Sequence, residues 1–300
     1  MPNIYPTALA NGTFRAILCA TPAINPPTMR LVARIVVPLS ALSMLLCAGC
    51  YQVPVTGRSA INMVSDQEVI KQSLAAFNEM KKKYPASRNQ DLNERVQRVG
   101  GRLAKVAFWD VPNADWEFVV FEVPQLINAF AMAGGKVGVF TGLFKIIQND
   151  DQLASVLAHE IGHVAARHVN ERLSQQMALQ GGGLLVGMAT AGAGSLTSAT
   201  VLEAYGLSSG ITAVGFDRKK EAEADHIGIL YMARAGYNPE ESVKVIESLE
   251  AESAGKPAPQ AWLSTHPSNP ERILQLMDLM PQALQAYEQS GRIQTPTLVK

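Results

Sequence analysis

Leu157-Ala158-His159-Glu160-Ile161-Gly162-His163-Val164 sets two histidines four positions apart, with a glutamate directly after the first. On a helix that spacing turns both imidazoles to one face, where two neutral ring nitrogens can bind one Zn²⁺. Glu160 stands about 100° round from His159, so it can reach a water at the metal and serve as a general base. The helix is supported independently of the motif. Asn149-Asp150-Asp151 offers a cap and early negative charge, and Leu153, Val156, Leu157, Ile161, Val164 and Ala165 recur at helical spacing.

A second stretch, Phe216 to Ala235, reads as helical up to Gly236 and carries Glu221 and Asp225 at the same four-residue interval. Glu221 can be the third metal ligand. Asp225, one turn on, can accept the free N–H of a ligating histidine and fix its tautomer. Glu223 is a rival ligand, but it lies about 200° round the helix from Glu221 and has no carboxylate one turn ahead. His168 lies about 180° from His159 on a continuous helix and reads as structural. The stretch Val164-Ala165-Ala166-Arg167-His168 also lacks the glycine and histidine spacing of a metzincin. His226 reads as a packing residue.

Four ordered motifs carry a family resemblance. They are the HExxH stretch, Arg218-Lys219-Lys220-Glu221-Ala222-Glu223-Ala224-Asp225-His226-Ile227-Gly228, Asn128 to Val137 upstream, and Thr265-His266-Pro267-Ser268-Asn269-Pro270-Glu271-Arg272 downstream. Over residues 60 to 285 the chain resembles the HtpX/Ste-type zinc metallopeptidases, a gluzincin-type family. The resemblance is to their periplasmic lipoprotein branch, which includes the β-barrel-assembly-enhancing protease. Relatives often carry Tyr-Ser where this chain has Phe216-Asp217, which removes any role for a tyrosine there.

The resemblance implies one Zn²⁺ per chain held by His159, His163 and Glu221, with Asp225 behind them and Glu160 as general base. It implies that His266 lies near the zinc, either stabilising the oxyanion or filling the open position at rest. Arg272 and Arg218 are candidate anchors for the His266 loop. Resemblance to thermolysin-like zinc peptidases implies an edge strand above the zinc, formed by Asn128, Ala129, Phe130 and Ala131, to which an extended peptide can add. Trp116–Phe121 and Lys136–Thr141 are the flanking strands, and Gly134-Gly135 is a hairpin turn. The implied fold is α+β and mostly helical: a zincin-type domain with the HExxH helix, a small antiparallel sheet and a downstream ligand helix.

Met29 to Arg34 is basic, Ile35 to Leu46 is apolar, and Ala48-Gly49-Cys50 closes the run like a bacterial lipoprotein signal, with Cys50 as the lipidated residue. Residues 1–28 hold five prolines and one charged residue and have no place in such a signal. They read as an untranslated or disordered extension. The expected layout is therefore signal peptide 29–49, linker 50–64 from the lipid anchor, peptidase domain 65–290 and tail 291–300. Tyr51 after the cysteine favours the periplasmic face of the outer membrane; the inner membrane and the soluble periplasm are the alternatives.

Twenty-six basic residues balance 26 acidic ones, which gives no reason to expect nucleic acid. Helices are expected from Ser65 to Lys83, with Ser65 and Glu68 as a capping box, and from Asp91 to Phe108. A further one is expected after Asn238-Pro239, and a last one starts at Pro281. The glycine-rich segment 180–215 is interrupted too often for a membrane span and reads as a lid or buried helices, with a membrane-touching surface as the alternative. Two functions fit. One is an envelope endopeptidase acting on misfolded or unassembled proteins, working beside the outer-membrane assembly machinery. The other is a lipoprotein chaperone that uses the same fold to bind clients.

Overall fold

A computed structural model describes residues 50–181, 196–207, 216–254, 261–266 and 270–291. The expected extension 1–28 and signal peptide 29–49, the greater part of the 180–215 segment and nearly all of the tail lie outside these. The elements in chain order are β1 (Cys50–Gln52), β2 (Ser59–Ile61), α1 (Asp66–Lys83), α2 (Gln90–Val106), β3 (Glu117–Phe121), β4 (Ala129–Met132) and β5 (Lys136–Phe140). There follow α3 (Asp150–Ala165), α4 (His168–Gly181), α5 (Ser198–Ala204), α6 (Arg218–Arg234), α7 (Glu241–Ser253), α8 (Ala261–Thr265) and α9 (Pro270–Gln289). The fold is α+β and mostly helical. Among the described residues no helix is long and apolar enough to cross a membrane.

Side-chain oxygens cap the early helices. Ser65 Oγ accepts from Glu68 N–H at 3.2 Å, and Asn149 Oδ1 accepts from Gln152 N–H at 2.8 Å. Glu68 itself turns to Gln72 and Lys71, so only half of the expected capping box forms. Asp150 in the first turn of α3 takes Arg95 and Arg98 from α2, which ties the two helices together.

The sheet runs in the order β3-β5-β4. It is mixed where an antiparallel sheet was expected: β3 pairs with β5 in parallel, and β4 pairs with β5 antiparallel. The chain reaches this by sending β4 to the outer edge before β5 returns between the other two. Gly134 and Gly135, at φ 83° and 81°, make the turn from β4 to β5.

Residues 50–64 are not a free linker. β1 and β2 pair as an antiparallel hairpin, Val53 and Ala60 join the core, and Tyr51 donates its hydroxyl to Ala165 O at 2.7 Å. The last helix also differs from expectation, since α9 runs through Pro281. Leu276 and Ala283 on either side of that proline bury against Ile229, Leu230 and Ala233 of α6. Tertiary packing there outweighs the lost backbone hydrogen bond.

The core closes around α3, most of which is buried. Two glycines let α6 approach it with backbones nearly touching. A Cβ on Gly162 would fall 2.8 Å from Ala224 O, and one on Gly228 would fall 2.9 Å from His159 N. This reciprocal contact sets the separation of the two helices that carry the site.

Candidate metal centre and active site

His159 and His163 project from α3, Glu221 from the first turn of α6, and His266 from the residue after α8. All four are buried, and one donor atom from each lies within 4.8 Å of the others. The separations are short. His159 Nε2 is 3.1 Å from His163 Nε2 and 3.3 Å from His266 Nδ1, and Glu221 Oε1 is 3.0 Å from His266 Nδ1 and 3.4 Å from His163 Nε2. A tetrahedral site with bonds of about 2.0–2.1 Å spaces its ligand atoms about 3.3 Å apart. The spacing and donor types therefore fit a small divalent cation.

Buried charge points the same way. Glu160 Oε1 and Glu221 Oε2 are buried carboxylate oxygens that accept no aligned hydrogen bond, although Arg272 Nη1 lies 3.1 Å from the latter. Such groups need a cation or an aimed donor.

The rings are held from behind. Asp225 Oδ1 lies 2.8 Å from His159 Nδ1, so that nitrogen carries the proton and Nε2 is free to ligate. Arg272 from α9 fixes Asp225 through Nε at 2.7 Å and Nη2 at 2.8 Å, and reaches on to Glu221. Arg218, the other candidate anchor, is exposed in the first turn of α6, outside this buried group.

Burial works against charge on His159, but Asp225 and Glu221 together outweigh it and hold the ring up at about 9, so a cation bound at Nε2 takes the place of a proton there. Burial pushes His163 well below its usual value, only partly opposed by Glu221. Burial raises Glu160 above the ordinary carboxylate range, with His266 pulling the other way. Glu221 would be raised by burial too, yet His266, His159 and His163 hold it well below. Two neighbouring carboxyls thus differ in proton affinity, the pattern expected when one binds a cation and the other moves a proton.

β4 forms the open edge of the sheet, beside α3. Each outward N–H of this edge already has a partner. Ala129 donates to Asn128 Oδ1 at 2.9 Å, Ala131 to Glu160, and Ala133 to the Tyr205 hydroxyl at 2.7 Å.

His168 lies beside the site and not on the far side that a continuous helix predicts. α3 ends at Ala165, and Arg167 takes a left-handed φ of 56°. The break returns His168 to the site, with Nδ1 2.7 Å from His163 Nδ1 and Nε2 3.0 Å from Glu223 Oε2. Glu223 is turned away from the donor cluster and is bound by Arg58 and Thr56. Phe216 stacks on His163 with ring centroids 4.1 Å apart, which gives the residue in the usual tyrosine position a packing task. His226 is half-buried outside the cluster. A helix break of this kind has no strong sequence signal beyond the polar Arg167-His168 pair after an apolar run.

Residues 90–280 match the family model described as peptidase family M48. The chain belongs to that family. It is therefore a metallopeptidase by descent, and its four clustered donors lie in the matched span. The chain is 34% identical over 212 residues to the mitochondrial metalloendopeptidase OMA1 of Saccharomyces cerevisiae, covering 66% of this chain and 59% of that one. It is 33% identical over 189 residues to the beta-barrel assembly-enhancing protease of Yersinia pestis, covering 61% and 37%. With the protein of that name from Escherichia coli it shares 35% over 158 residues, covering 49% and 31%. The chain thus spans between about a third and three fifths of the length of these relatives.

Proposed function

We propose that this M48 protein is a zinc-dependent endopeptidase of the bacterial cell envelope, lipid-anchored through Cys50 and acting on misfolded or unassembled proteins at the outer membrane. The carrying observation is the interlocked set His159, His163, Glu221 and His266 with Glu160 beside it. The envelope setting is supported by relatives named beta-barrel assembly-enhancing protease and by the lipoprotein-like run from Met29 to Cys50.

His159, His163 and Glu221 would hold the zinc, with His266 as a fourth donor. When bound, zinc supplies Lewis acidity, lowering the pKa of a water towards about 7 and polarising the scissile carbonyl. Glu160 takes the proton of the attacking water and passes it to the leaving amine. Its raised proton affinity suits both halves of that task. Asp225 and Arg272 keep His159 in the ligating tautomer throughout. An extended substrate adds to β4 by replacing the partners of its outward N–H groups, which places a backbone carbonyl near Glu160.

The test is cleavage of unfolded casein by the wild-type chain, by Glu160→Gln and by chelator-treated protein. Loss of a general base is worth about 10²- to 10⁴-fold in rate. Activity that survives both treatments overturns the zinc mechanism. If the wild type itself does not cleave but suppresses client aggregation, the chaperone reading replaces it.

A further inference from the structure

The metal-ligand reading leaves unexplained a buried row of polar groups on the far side of His163. His168 is fully buried, and Glu223 is 8% exposed. From the site outward the contacts run His163 Nδ1 to His168 Nδ1 at 2.7 Å, then His168 Nε2 to Glu223 Oε2 at 3.0 Å. Arg58 Nε grips Glu223 at 2.8 and 3.0 Å, and Thr56 donates to it at 2.6 Å. Arg58 also binds Glu171 on α4.

Proton positions along this row are forced by what each group can do. An ionised carboxylate bound by an arginine and a hydroxyl can only accept, so His168 Nε2 must donate. A neutral imidazole that donates from Nε2 has a bare Nδ1, and this must accept from its neighbour. The donor can only be His163 Nδ1. That leaves His163 Nε2 bare, and it is the atom that faces His159 Nε2 and Glu221 Oε1.

We propose that His168 is a positioning residue for the metal ligand His163, and that Glu223 and Arg58 set the tautomer in which His168 performs this role. The inference rests on the metallopeptidase reading of the site. The two ligating histidines are then braced by different chemistry. His159 leans directly on a carboxylate, while His163 reaches its carboxylate through a second imidazole. The second route is longer because α3 ends two residues past His163, and the left-handed Arg167 brings the next imidazole into the gap. It also ties the ligand to the β1–β2 hairpin, since Thr56 and Arg58 both lie between those strands.

The experiment uses the full chain and measures Zn²⁺ affinity by competition with a chromophoric chelator, the visible spectrum of the Co²⁺-substituted protein, and the melting temperature. His168→Leu removes both ends of the bridge. Loss of such an outer partner typically weakens metal affinity about 10- to 100-fold. His168→Gln keeps one acceptor for His163 and one donor for Glu223, so affinity and the Co²⁺ spectrum are expected to return close to wild type. If both variants bind zinc as tightly as wild type, the proposal is overturned. It also falls if both lose affinity equally and in step with their melting temperatures, since His168 would then serve only packing. A wild-type chain that binds no metal overturns the metallopeptidase reading itself, a result distinct from either.

Discussion

Gly228 lies against the backbone of His159, so that the helix bearing Glu221 and Asp225 cannot come closer to the HExxH helix and cannot carry a side chain at this point. A methyl group here would meet His159 N at 2.9 Å and Ala158 C at 3.1 Å, both rigid backbone atoms. Gly228→Ala is expected to cost about 1–3 kcal/mol of stability through overpacking. It should also loosen the metal site, because the displaced helix holds both carboxylates. Denaturant unfolding and zinc titration of the same variant check the pair of effects; an unchanged midpoint would show that the helices can part without cost.

His266 stands among the donor atoms, its ring stacked on Trp262 with centroids 4.4 Å apart. As a fourth donor it would compete with the water and substrate that hydrolysis requires. His266→Ala is therefore expected to raise chelator-sensitive cleavage of unfolded casein several-fold, about the ratio set by a small conformational equilibrium. A fall of tenfold or more would instead assign His266 to stabilising the transition state.

Acid should act through Glu223. Burial would raise this carboxyl, but its bonds to His168, Arg58 and Thr56 bring it down to about 2, below the 4.5 of an unconstrained glutamate. A folded state that binds the proton less readily than the unfolded state gains stability as pH rises through that interval. The contribution is present above about pH 4.5 and is lost towards pH 2. The melting temperature of Glu223→Gln should thus lie below wild type near neutral pH, with the gap closing on acidification. A gap that stays constant from pH 6 to pH 2.5 contradicts this.

Tyr205 accepts from Ala133 N–H at the edge strand, where an extended peptide would need that donor. Tyr205→Phe removes the competing oxygen and keeps the ring. KM for an unfolded peptide is expected to fall a few-fold with little change in kcat, since one hydrogen bond is worth about 1 kcal/mol. Steady-state kinetics separate the two constants, and a change confined to kcat would count against substrate addition at β4.

Much of the site was legible because its parts are local. His159 and His163, or Glu221 and Asp225, are related by one helical turn, and a turn is visible in a short string of letters. The helices at 66–83 and 150–165 likewise announce themselves through caps and apolar spacing. What escaped depends on breaks and long-range pairing. A continuous α3 would put His168 on the far side, and the left-handed Arg167 breaks that continuity. The parallel pairing of β3 with β5 has no alternation signature that differs from an antiparallel one. Residues 50–64 looked like spacer because their anchors, Ala165 and Glu223, lie more than a hundred positions away.

Cys50 is the first residue of β1 and pairs with Ile61. The reach of a flexible leash grows with its length, about 5–6 Å × √n for n residues. With acyl chains on Cys50, n would be close to nothing, and the peptidase would rest on the bilayer in a fixed pose. Its clients would have to be brought to that surface, since the enzyme could not swing out to meet them.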